Sequence, residues 1–123
     1  HLAVLRQMLP KQARSKLLPL WHVAGWLTGA LPALCGPHAV YATIEVVESF
    51  VDRHYRQQLD NLADDPARIP LRKALESCHR DELAHRDEAR RRVTGTTPRL
   101  PLRMWLGAVA FGSKAGVVLA RRF

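Results

Sequence analysis

The sequence predicts an all-α protein, a bundle of about four to five helices, and three observations support this. No segment alternates apolar and polar residues at period two, and no hairpin dipeptide lies between such segments. Proline and glycine divide the chain into segments whose apolar residues recur every three or four positions. Apolar residues make up 47% of the 123 positions, enough for one core, so we expect a single domain over residues 1–123.

The predicted helices follow from the positions of these breaks. The first is the end of a helix that stops near Pro10, and the second stops before Gly36 and Pro37. The third stops before Pro66, and the fourth before Pro98. The five segments are 2–9, 17–34, 39–62, 68–93 and 102–122.

Two of these segments are almost uncharged. Segment 17–34 contains Trp21 and Trp26 and approaches the roughly 20 residues of a membrane span. His22 and the internal prolines favour a buried or interfacial helix over a complete crossing. Segment 102–122 is also rich in apolar and small residues.

The charge balance and the cysteines restrict the classes of protein. The net charge of +8 favours partners that carry phosphate, either nucleic acid or anionic lipid head groups. The apolar content excludes a disordered acidic tail. Only Cys35 and Cys78 are present, which excludes a disulfide framework and a CxxC zinc site. Cys78 lies on an apolar helix face, where we expect a small core residue.

Charged side chains occupy helix faces that should be buried. One face of segment 68–93 includes Glu82 and His85, and one face of segment 39–62 includes Glu48. His1 shares a face with the apolar residues of the first segment. A buried ionised carboxylate is strongly unfavourable without compensation, so these groups predict a counter-charge. The two faces are Leu71, Leu75, Cys78, Glu82, His85 and Ala89, and Ile44, Glu48, Val51, Tyr55, Gln58 and Leu62.

A metal ion is one such counter-charge. In Glu82-Leu83-Ala84-His85 the two potential ligands are about 60° apart around the helix and one turn apart along it. Paired Glu-x-x-His helices with single glutamates from two further helices form the di-iron or di-manganese site of ferritin-like bundles. The candidate metal ligands are therefore His1, Glu48, Glu82 and His85, with His1 as the histidine of a second Glu-x-x-His motif.

Each of these residues also has a simpler interpretation. Glu82 and His85 are equally typical of a solvated helix surface with local contacts. Glu48 could be a buried, protonated acid that is bonded to Tyr55. The coincidence of all the candidates on core faces favours the metal site.

Asp81 is a candidate for orienting a ligand. A metal-bound histidine usually donates its second ring N–H to a carboxylate, and Asp81 is placed to accept from the histidine of the neighbouring helix. An ion pair with Arg80 or Arg86 is an equal alternative at this position.

Four motifs keep a specific order and spacing along the chain. They are Leu18-Pro19-Leu20-Trp21-x-x-Ala24-Gly25, Val47-Glu48-Ser49, His54-Tyr55-x-x-Gln58-Leu59 and Asp81-Glu82-Leu83-Ala84-His85. Together they resemble the demethoxyubiquinone hydroxylase family, the di-iron monooxygenases of ubiquinone biosynthesis, and the likeness extends from His1 to Phe123. The resemblance implies a ferritin-like four-helix bundle with additional apolar, membrane-facing helical segments.

The resemblance also implies roles for particular residues. It implies iron ligands at His1, Glu48, Glu82 and His85. It implies a His54-Tyr55 pair beside the site, although His54 lies about 120° from Glu48 on an ideal helix unless a π-bulge intervenes. The family's first helix with its glutamate, and the glutamate three residues before His1, are absent. We therefore expect an N-terminally incomplete domain, lacking its N-terminal helix, with four of six ligands.

The implied activity is hydroxylation of the ring of a prenylated demethoxybenzoquinol in ubiquinone (coenzyme Q) biosynthesis. Its implied cofactors are two iron ions, with O2 and NADH as co-substrates. The implied partners are the prenylated quinone, a membrane surface and a lipid-binding protein of the coenzyme Q complex. The implied location is peripheral, on the mitochondrial inner membrane (matrix side) or the bacterial cytoplasmic membrane.

The apolar segments would then enter one leaflet, and basic residues near them would meet anionic head groups. These basic residues are Lys11, Arg14, Lys16, Arg99, Arg103 and Arg122. Ordinary core helices with a solvated basic face are the alternative.

Two other classes of function compete with the hydroxylase. One is a ferritin-like protein that binds or oxidises iron. The other is a non-catalytic basic helical module that binds anionic membrane or nucleic acid, for which the cluster Arg90-Arg91-Arg92 is the main argument. No segment has the pattern of a base-reading recognition helix, so we expect no nucleic-acid partner.

Overall fold

The computed structural model describes residues 1–8, 15–62, 66–93 and 97–122. Within these ranges the chain is helical and contains no strand, which confirms the all-α prediction. The helices are α1 (Leu2–Met8), α2 (Leu18–Ala33), α3 (Pro37–Asn61), α4 (Ile69–Arg92) and α5 (Leu100–Ala120), with a 3₁₀ turn at Pro66–Arg68. The bounds of the four longer helices lie within two residues of the predicted ones. Pro10, Lys11 and Arg14 lie outside the described residues.

Proline sets the start of each of the four longer helices. Pro19, Pro37, Pro70 and Pro101 all lie in a first helical turn, where the missing N–H costs no hydrogen bond. Residues 34–36 connect α2 to α3, and the connection ends at Gly36 with φ of 97°. Residues that carry a side chain rarely adopt this backbone conformation, so glycine permits the tight reversal.

Helix α3 is the centre of the bundle. Helices α2, α4 and α5 all contact α3, and α1 contacts α4. Near the start of α3, the Tyr41 hydroxyl accepts a hydrogen bond from Arg92 Nη1 at the end of α4, over 3.1 Å. Further along α3, Asp52 Oδ1 lies 2.7 Å from His79 Nε2 near the middle of α4. A later position on α3 thus pairs with an earlier position on α4, so the two helices are antiparallel.

Small side chains line the inner faces of α3 and α4. Small side chains let helix axes approach closely, and the leucines at the ends of the helices complete the core. The buried apolar residues are Ala39, Ala42, Leu62, Leu75, Cys78 and Ala89. The prediction that Cys78 is a core residue is confirmed, since it is 4% exposed.

The predicted buried face of α4 is correct for Leu75, Cys78 and Ala89 but wrong at His85. The His85 side chain is 63% exposed. Among the described residues no helix packs over His85. The N-terminal residue His1, next to α1, contacts α4 at Asp81 and Glu82 instead.

The α3–α4 interface contains a buried carboxylate whose negative charge and oxygen atoms pair with several donor side chains. Asp52 is 8% exposed and accepts hydrogen bonds from Arg86 Nη1 (2.8 Å) and Arg56 Nε (2.8 Å). Its Oδ1 also contacts His79 Nε2 at 2.7 Å. Burial on its own would raise the pKa of Asp52, but the hydrogen bonds from Arg56 and His79 and the charges of Arg56 and Arg86 hold it below its ordinary value.

Helix α5 is attached to α3 and approaches α2. Trp105 donates its indole N–H to Thr43 Oγ1 over 3.0 Å, and Thr43 donates to Ala39 O within α3. A Cβ at Gly116 would lie 3.4 Å from the ring of Trp21, in ordinary van der Waals contact, so this part of α5 lies against Trp21 of α2. The two apolar helices therefore lie on the same side of the bundle.

The outer faces of α2 and α5 are apolar and uncovered. Among the described residues, α5 alone has the length and composition of a membrane-spanning helix. The exposed large apolar residues of the two helices are Leu20, Val23, Trp26, Leu27, Leu31, Leu34, Leu100, Met104, Phe111, Val118 and Leu119. Many exposed apolar side chains on neighbouring helices are typical of a site for membrane or protein contact.

The burial of Asp52 generates a stability prediction. We expect Asp52→Asn to lower the free energy of unfolding by about 3 kcal/mol, because Arg86 and His79 lose the charge that compensates their burial. Urea denaturation followed by circular dichroism measures this. Asp87→Asn is the matched control: Asp87 also pairs with Arg86 but is 52% exposed, so a change below about 1 kcal/mol is expected.

The same pair of variants has a pH signature. The folded pKa of Asp52 lies below its ordinary value of 3.8, so its contribution is complete above that value and is lost as the pH falls through the folded pKa. The stability difference between wild type and Asp52→Asn should shrink as the pH falls below about 4. A difference that is independent of pH down to about pH 2 would contradict this assignment.

Candidate metal centre

Three of the predicted ligands lie together where α3 and α4 face each other. One ligand atom each from Glu48, Glu82 and His85 lies within 4.8 Å of the other two. The antiparallel register of the helices brings Glu48 beside Glu82. One helical turn then brings His85 beside Glu82, with Nδ1 3.8 Å from Glu82 Oε2.

His1 joins this group from α1. Its Nδ1 lies 2.6 Å from Glu82 Oε1, and its Nε2 lies 3.0 Å from Asp81 Oδ2. The contact that the sequence predicts between Asp81 and the histidine of a neighbouring helix is therefore present. The alternative ion pair with Arg86 is absent among the described residues, since Arg86 pairs with Asp52 and Asp87.

Glu48 has the electrostatics of a carboxylate that lacks a counter-charge. Burial, followed by the adjacent Glu82 carboxyl group, raises the pKa of Glu48 to about 8. Its Oε2 is buried and has no hydrogen-bond partner among the described residues. The alternative bond to Tyr55 is thus not seen there. A buried acceptor without a partner is unfavourable, so a cation or a proton must accompany this group.

These residues fit a metal ion of the iron or manganese type. Glu48 Oε2 is an unpartnered oxygen, and Glu82 and His85 add a second carboxylate and an imidazole close by. Carboxylate oxygen and imidazole nitrogen are suitable ligands for both metals. His1 is a further imidazole in contact with the same Glu82.

Tyr55 lies on the same helix face as Glu48, two turns further along α3. Burial and the neighbouring Cys78 and Glu82 raise the pKa of its phenol to about 12. Its ring stacks on His79 with centroids 5.6 Å apart. Tyr55 therefore connects the metal candidates to the buried Asp52 pair.

His54, the other half of the predicted pair, lies on a different side of α3. Helix α3 is regular throughout and has no π-bulge, so His54 keeps its ideal angular distance from Glu48. Its ring stacks on Phe50, and it lines a groove toward α5 with Lys114 and Arg121. Burial and the charge of Arg121 lower the pKa of His54. The structure therefore separates His54 from the carboxylate cluster.

Sequence reasoning missed the Asp52–His79–Arg86 network. The available signal was the position of Asp52 one turn after Glu48, on nearly the same face of α3. A second acidic residue on a face predicted to be buried indicates a second requirement for compensating charge.

The arginine cluster at the end of α4 is largely paired within the protein. Arg90 donates to Glu45 over 3.1 Å, and Arg91 and Arg92 both bond Glu88. The Arg92 guanidinium also lies 5.3 Å from the centre of the Tyr41 ring. This pairing weakens the argument for a nucleic-acid surface, since phosphate binding requires available cations.

Comparison with known proteins gives related sequences over nearly the whole chain. The family "Ubiquinone biosynthesis protein COQ7" matches residues 1–120. The 3-demethoxyubiquinol 3-hydroxylase of Rhodospirillum rubrum is 36% identical over 124 residues, covering 99% of this chain and 57% of the relative. The mitochondrial NADPH-dependent 3-demethoxyubiquinone 3-hydroxylase of Rattus norvegicus is 30% identical over 109 residues, covering 87% of this chain and 49% of the relative.

The 5-demethoxyubiquinone hydroxylase of Saccharomyces cerevisiae, also mitochondrial, is 35% identical over 95 residues, covering 66% of this chain and 41% of the relative. No solved structure matches the chain significantly. The chain spans about half the length of the curated relatives it matches. The helical bundle, the carboxylate–histidine cluster and these similarities agree, and the chain belongs to the COQ7 family of ubiquinone biosynthesis proteins.

Proposed function

We propose that the chain acts in a hydroxylase that modifies the ring of a prenylated demethoxybenzoquinol. The observation that carries this proposal is the cluster of Glu48, Glu82 and His85, with an unpartnered carboxylate oxygen, in a member of this family. The reaction replaces a ring C–H by C–OH with one atom of O2. The second atom leaves as water, with two protons and two electrons from a reductant.

In this proposal Glu48, Glu82, His85 and His1 hold a pair of iron ions. The bound iron supplies the activation of dioxygen that insertion into a C–H bond requires.

Asp81 positions His1 in this arrangement. When His1 donates its Nε2–H to Asp81 over 3.0 Å, the lone pair of Nδ1 is left free to bind a cation. The Nδ1 of the same ring faces the carboxylate cluster, 2.6 Å from Glu82 Oε1. Asp81 thus fixes both the tautomer and the direction of the imidazole.

Tyr55 supplies a neutral hydrogen-bond donor beside the carboxylates. The phenol is protonated at neutral pH, as an ordinary phenol is, and its raised pKa of about 12 extends the protonated form into the alkaline range. A protonated phenol adds no negative charge next to Glu82. We assign Tyr55 the role of donor at the edge of the site and give His54 a separate position in the α5 groove.

The apolar outer faces of α2 and α5 are proposed to rest on a membrane. A prenylated substrate partitions into the bilayer, so a peripheral enzyme must contact the lipid phase to reach it. Arg99, Arg103 and Arg122 are exposed near the ends of α5, where they can meet anionic head groups. The location is then the bacterial cytoplasmic membrane or the mitochondrial inner membrane, and a lipid-binding protein of the coenzyme Q complex is a candidate partner for the same faces.

The reductant is proposed to be a reduced nicotinamide. The resemblance implies NADH, whereas the rat relative is named as NADPH-dependent. Parallel assays with the two dinucleotides distinguish these donors.

The ligand assignment predicts the effect of two substitutions. Glu82→Gln and His85→Ala in the full chain should each lower iron content by at least about tenfold and abolish hydroxylated quinol, because each removes a ligand. Iron is measured by mass spectrometry of the purified protein, and the quinol by chromatography. Glu76→Gln is the control on the same helix, since Glu76 pairs with Arg72 away from the cluster.

Retention of full iron content in both variants would overturn the ligand assignment. Iron oxidation by wild type without any hydroxylated quinol would favour the ferritin-like alternative.

The role of Asp81 predicts a weaker effect of a different kind. Asp81→Asn should reduce metal affinity by about tenfold to a hundredfold without removing a ligand, because His1 loses its fixed tautomer. Titration with Fe²⁺ under anaerobic conditions measures the affinity. Asp87→Asn, a carboxylate on the same helix that pairs with Arg86, should leave the affinity unchanged.

The membrane proposal predicts the outcome of liposome flotation. Wild type should float with anionic vesicles, and Phe111→Glu should reduce the bound fraction, because a charge replaces an exposed apolar side chain. Ser77→Glu adds the same charge to an exposed position on α4 and should have no comparable effect. Equal flotation of all three proteins would contradict the use of α5 as the membrane face.

A further inference from the structure

A groove between α3 and α5 collects positive charge. Its volume is about 300 Å³, at the lower end of the range of sites for small molecules. Three cations line it, one from α3 and two from α5, and none of the described carboxylates does. None of the metal candidates lines it either, so the groove is a separate site. The lining side chains that concern this site are Phe50, Arg53, His54, Lys114, Val118 and Arg121.

The three cations of the groove are unpaired. Arg86 of α4, by contrast, pairs with the Asp52 carboxylate of α3. In the part of the chain that the structure describes, no side-chain ion pair or hydrogen bond involves Arg53, Lys114 or Arg121. Like charges that share a groove repel each other, and an anion bound between them replaces this repulsion by attraction. The groove therefore has the electrostatics of an anion site.

Lys114 is the one charged residue among positions 104–120, the apolar part of α5. The exposed apolar residues Phe111 and Val118 lie three positions before it and four positions after it, on the same face of the helix. Arg121 continues this face three positions after Val118. Apolar and basic side chains therefore alternate along one exposed face of α5, and this face leads into the groove.

The contact between α3 and the end of α5 directs Arg121 toward the groove. Burial and the charge of Arg121 both lower the pKa of His54, which requires the guanidinium to lie near the imidazole. The His54 ring is stacked on Phe50, with centroids 6.1 Å apart. The imidazole adds no full positive charge at neutral pH. The attraction for an anion therefore comes from the three cations.

We propose that this groove binds the phosphate of one anionic phospholipid, whose acyl chains lie along Phe111 and Val118. The identity of the ligand rests on the membrane contact proposed for α5. Guanidinium and ammonium groups are the protein cations that bind phosphate oxygens. The apolar residues that continue the groove along α5 favour a lipid over a soluble phosphate, since contact with acyl chains removes apolar surface from water.

The site should select lipids by their net charge. The phosphodiester of phosphatidylglycerol is an uncompensated anion. The phosphodiester of phosphatidylcholine is balanced by a choline cation, which the three cations of the groove repel. Phosphatidylglycerol is therefore the expected type of ligand.

Calorimetric titration of the full chain with dihexanoylphosphatidylglycerol, below its micellar concentration, tests the proposal. Wild type should bind one molecule saturably. Lys114→Gln and Arg121→Gln should each weaken binding by about tenfold, because each removes a charged donor to the phosphate. Lys114→Arg keeps the charge and should retain most of the affinity. All these positions are exposed, so no core contact is lost, and circular dichroism verifies folding.

Lys73→Gln is the matched control. Lys73 is an exposed lysine of α4 that does not line the groove, so this variant should bind the lipid like wild type. Equal weakening by Lys73→Gln and Lys114→Gln would mean that net charge alone attracts the lipid, and it would overturn the site. Non-saturable binding to wild type would overturn it as well.

Two related ligands test the two halves of the proposed occupant. Dihexanoylphosphatidylcholine should bind at least about tenfold more weakly, because its head group has no net charge. Glycerophosphoglycerol, the same anionic head group without acyl chains, should also bind at least about tenfold more weakly, because it lacks the apolar contact. Equal affinity for the choline lipid would contradict the role of the cations. Equal affinity for glycerophosphoglycerol would identify a site for soluble phosphate and overturn the lipid assignment.

The titration requires neither iron, nor turnover, nor a bilayer, so its result is separate from the tests of the hydroxylase and of the membrane face. Flotation of wild type with anionic vesicles, without saturable binding of the short-chain lipid, would support the membrane face and overturn this site. Saturable binding without flotation would support this site and contradict the membrane face.

Discussion

The antiparallel pairing of α3 with α4 is the interaction on which the rest of the molecule depends. It places Glu48 beside Glu82 and, one turn further along α3, Asp52 beside His79 and Arg86. At Asp52 the interface supplies its own cations, and the carboxylate is fully compensated. At Glu48 it does not, and burial raises the pKa to about 8. The same interface therefore contains one polar contact that completes the fold and one that requires a ligand.

The order of the helices and the position of the cluster could be predicted from the sequence. Proline and glycine between the segments indicated where each helix stops, and Glu48, Glu82 and His85 were found by their spacing on apolar faces. The ligand candidates could be found in this way because helical periodicity determines which side chains lie on the same face of a helix. Family membership added the His54-Tyr55 pair and the identity of the metal as expectations.

What the sequence could not predict depends on which neighbour covers each face. His85 lies on the correct stripe, yet its side chain is 63% exposed, since periodicity does not say whether a partner is present. His54 was expected near the site and instead lines the groove toward α5. The network around Asp52 could not be predicted from the sequence, because its three partners lie 4, 27 and 34 positions away along the chain.

The arrangement of contacts around α3 has a consequence for how the protein tolerates change. Helix α4, with its charged groups, contacts α3 and α1, whereas α2 and α5 contact α3 from their own side. Substitutions on the outer faces of α2 and α5 therefore share no contacts with the carboxylate cluster, and their effects add to those of changes on α4. The proposed membrane face and the proposed metal site can therefore be altered separately. Selection could then adjust the proposed membrane attachment without changing the side chains of the carboxylate–histidine cluster.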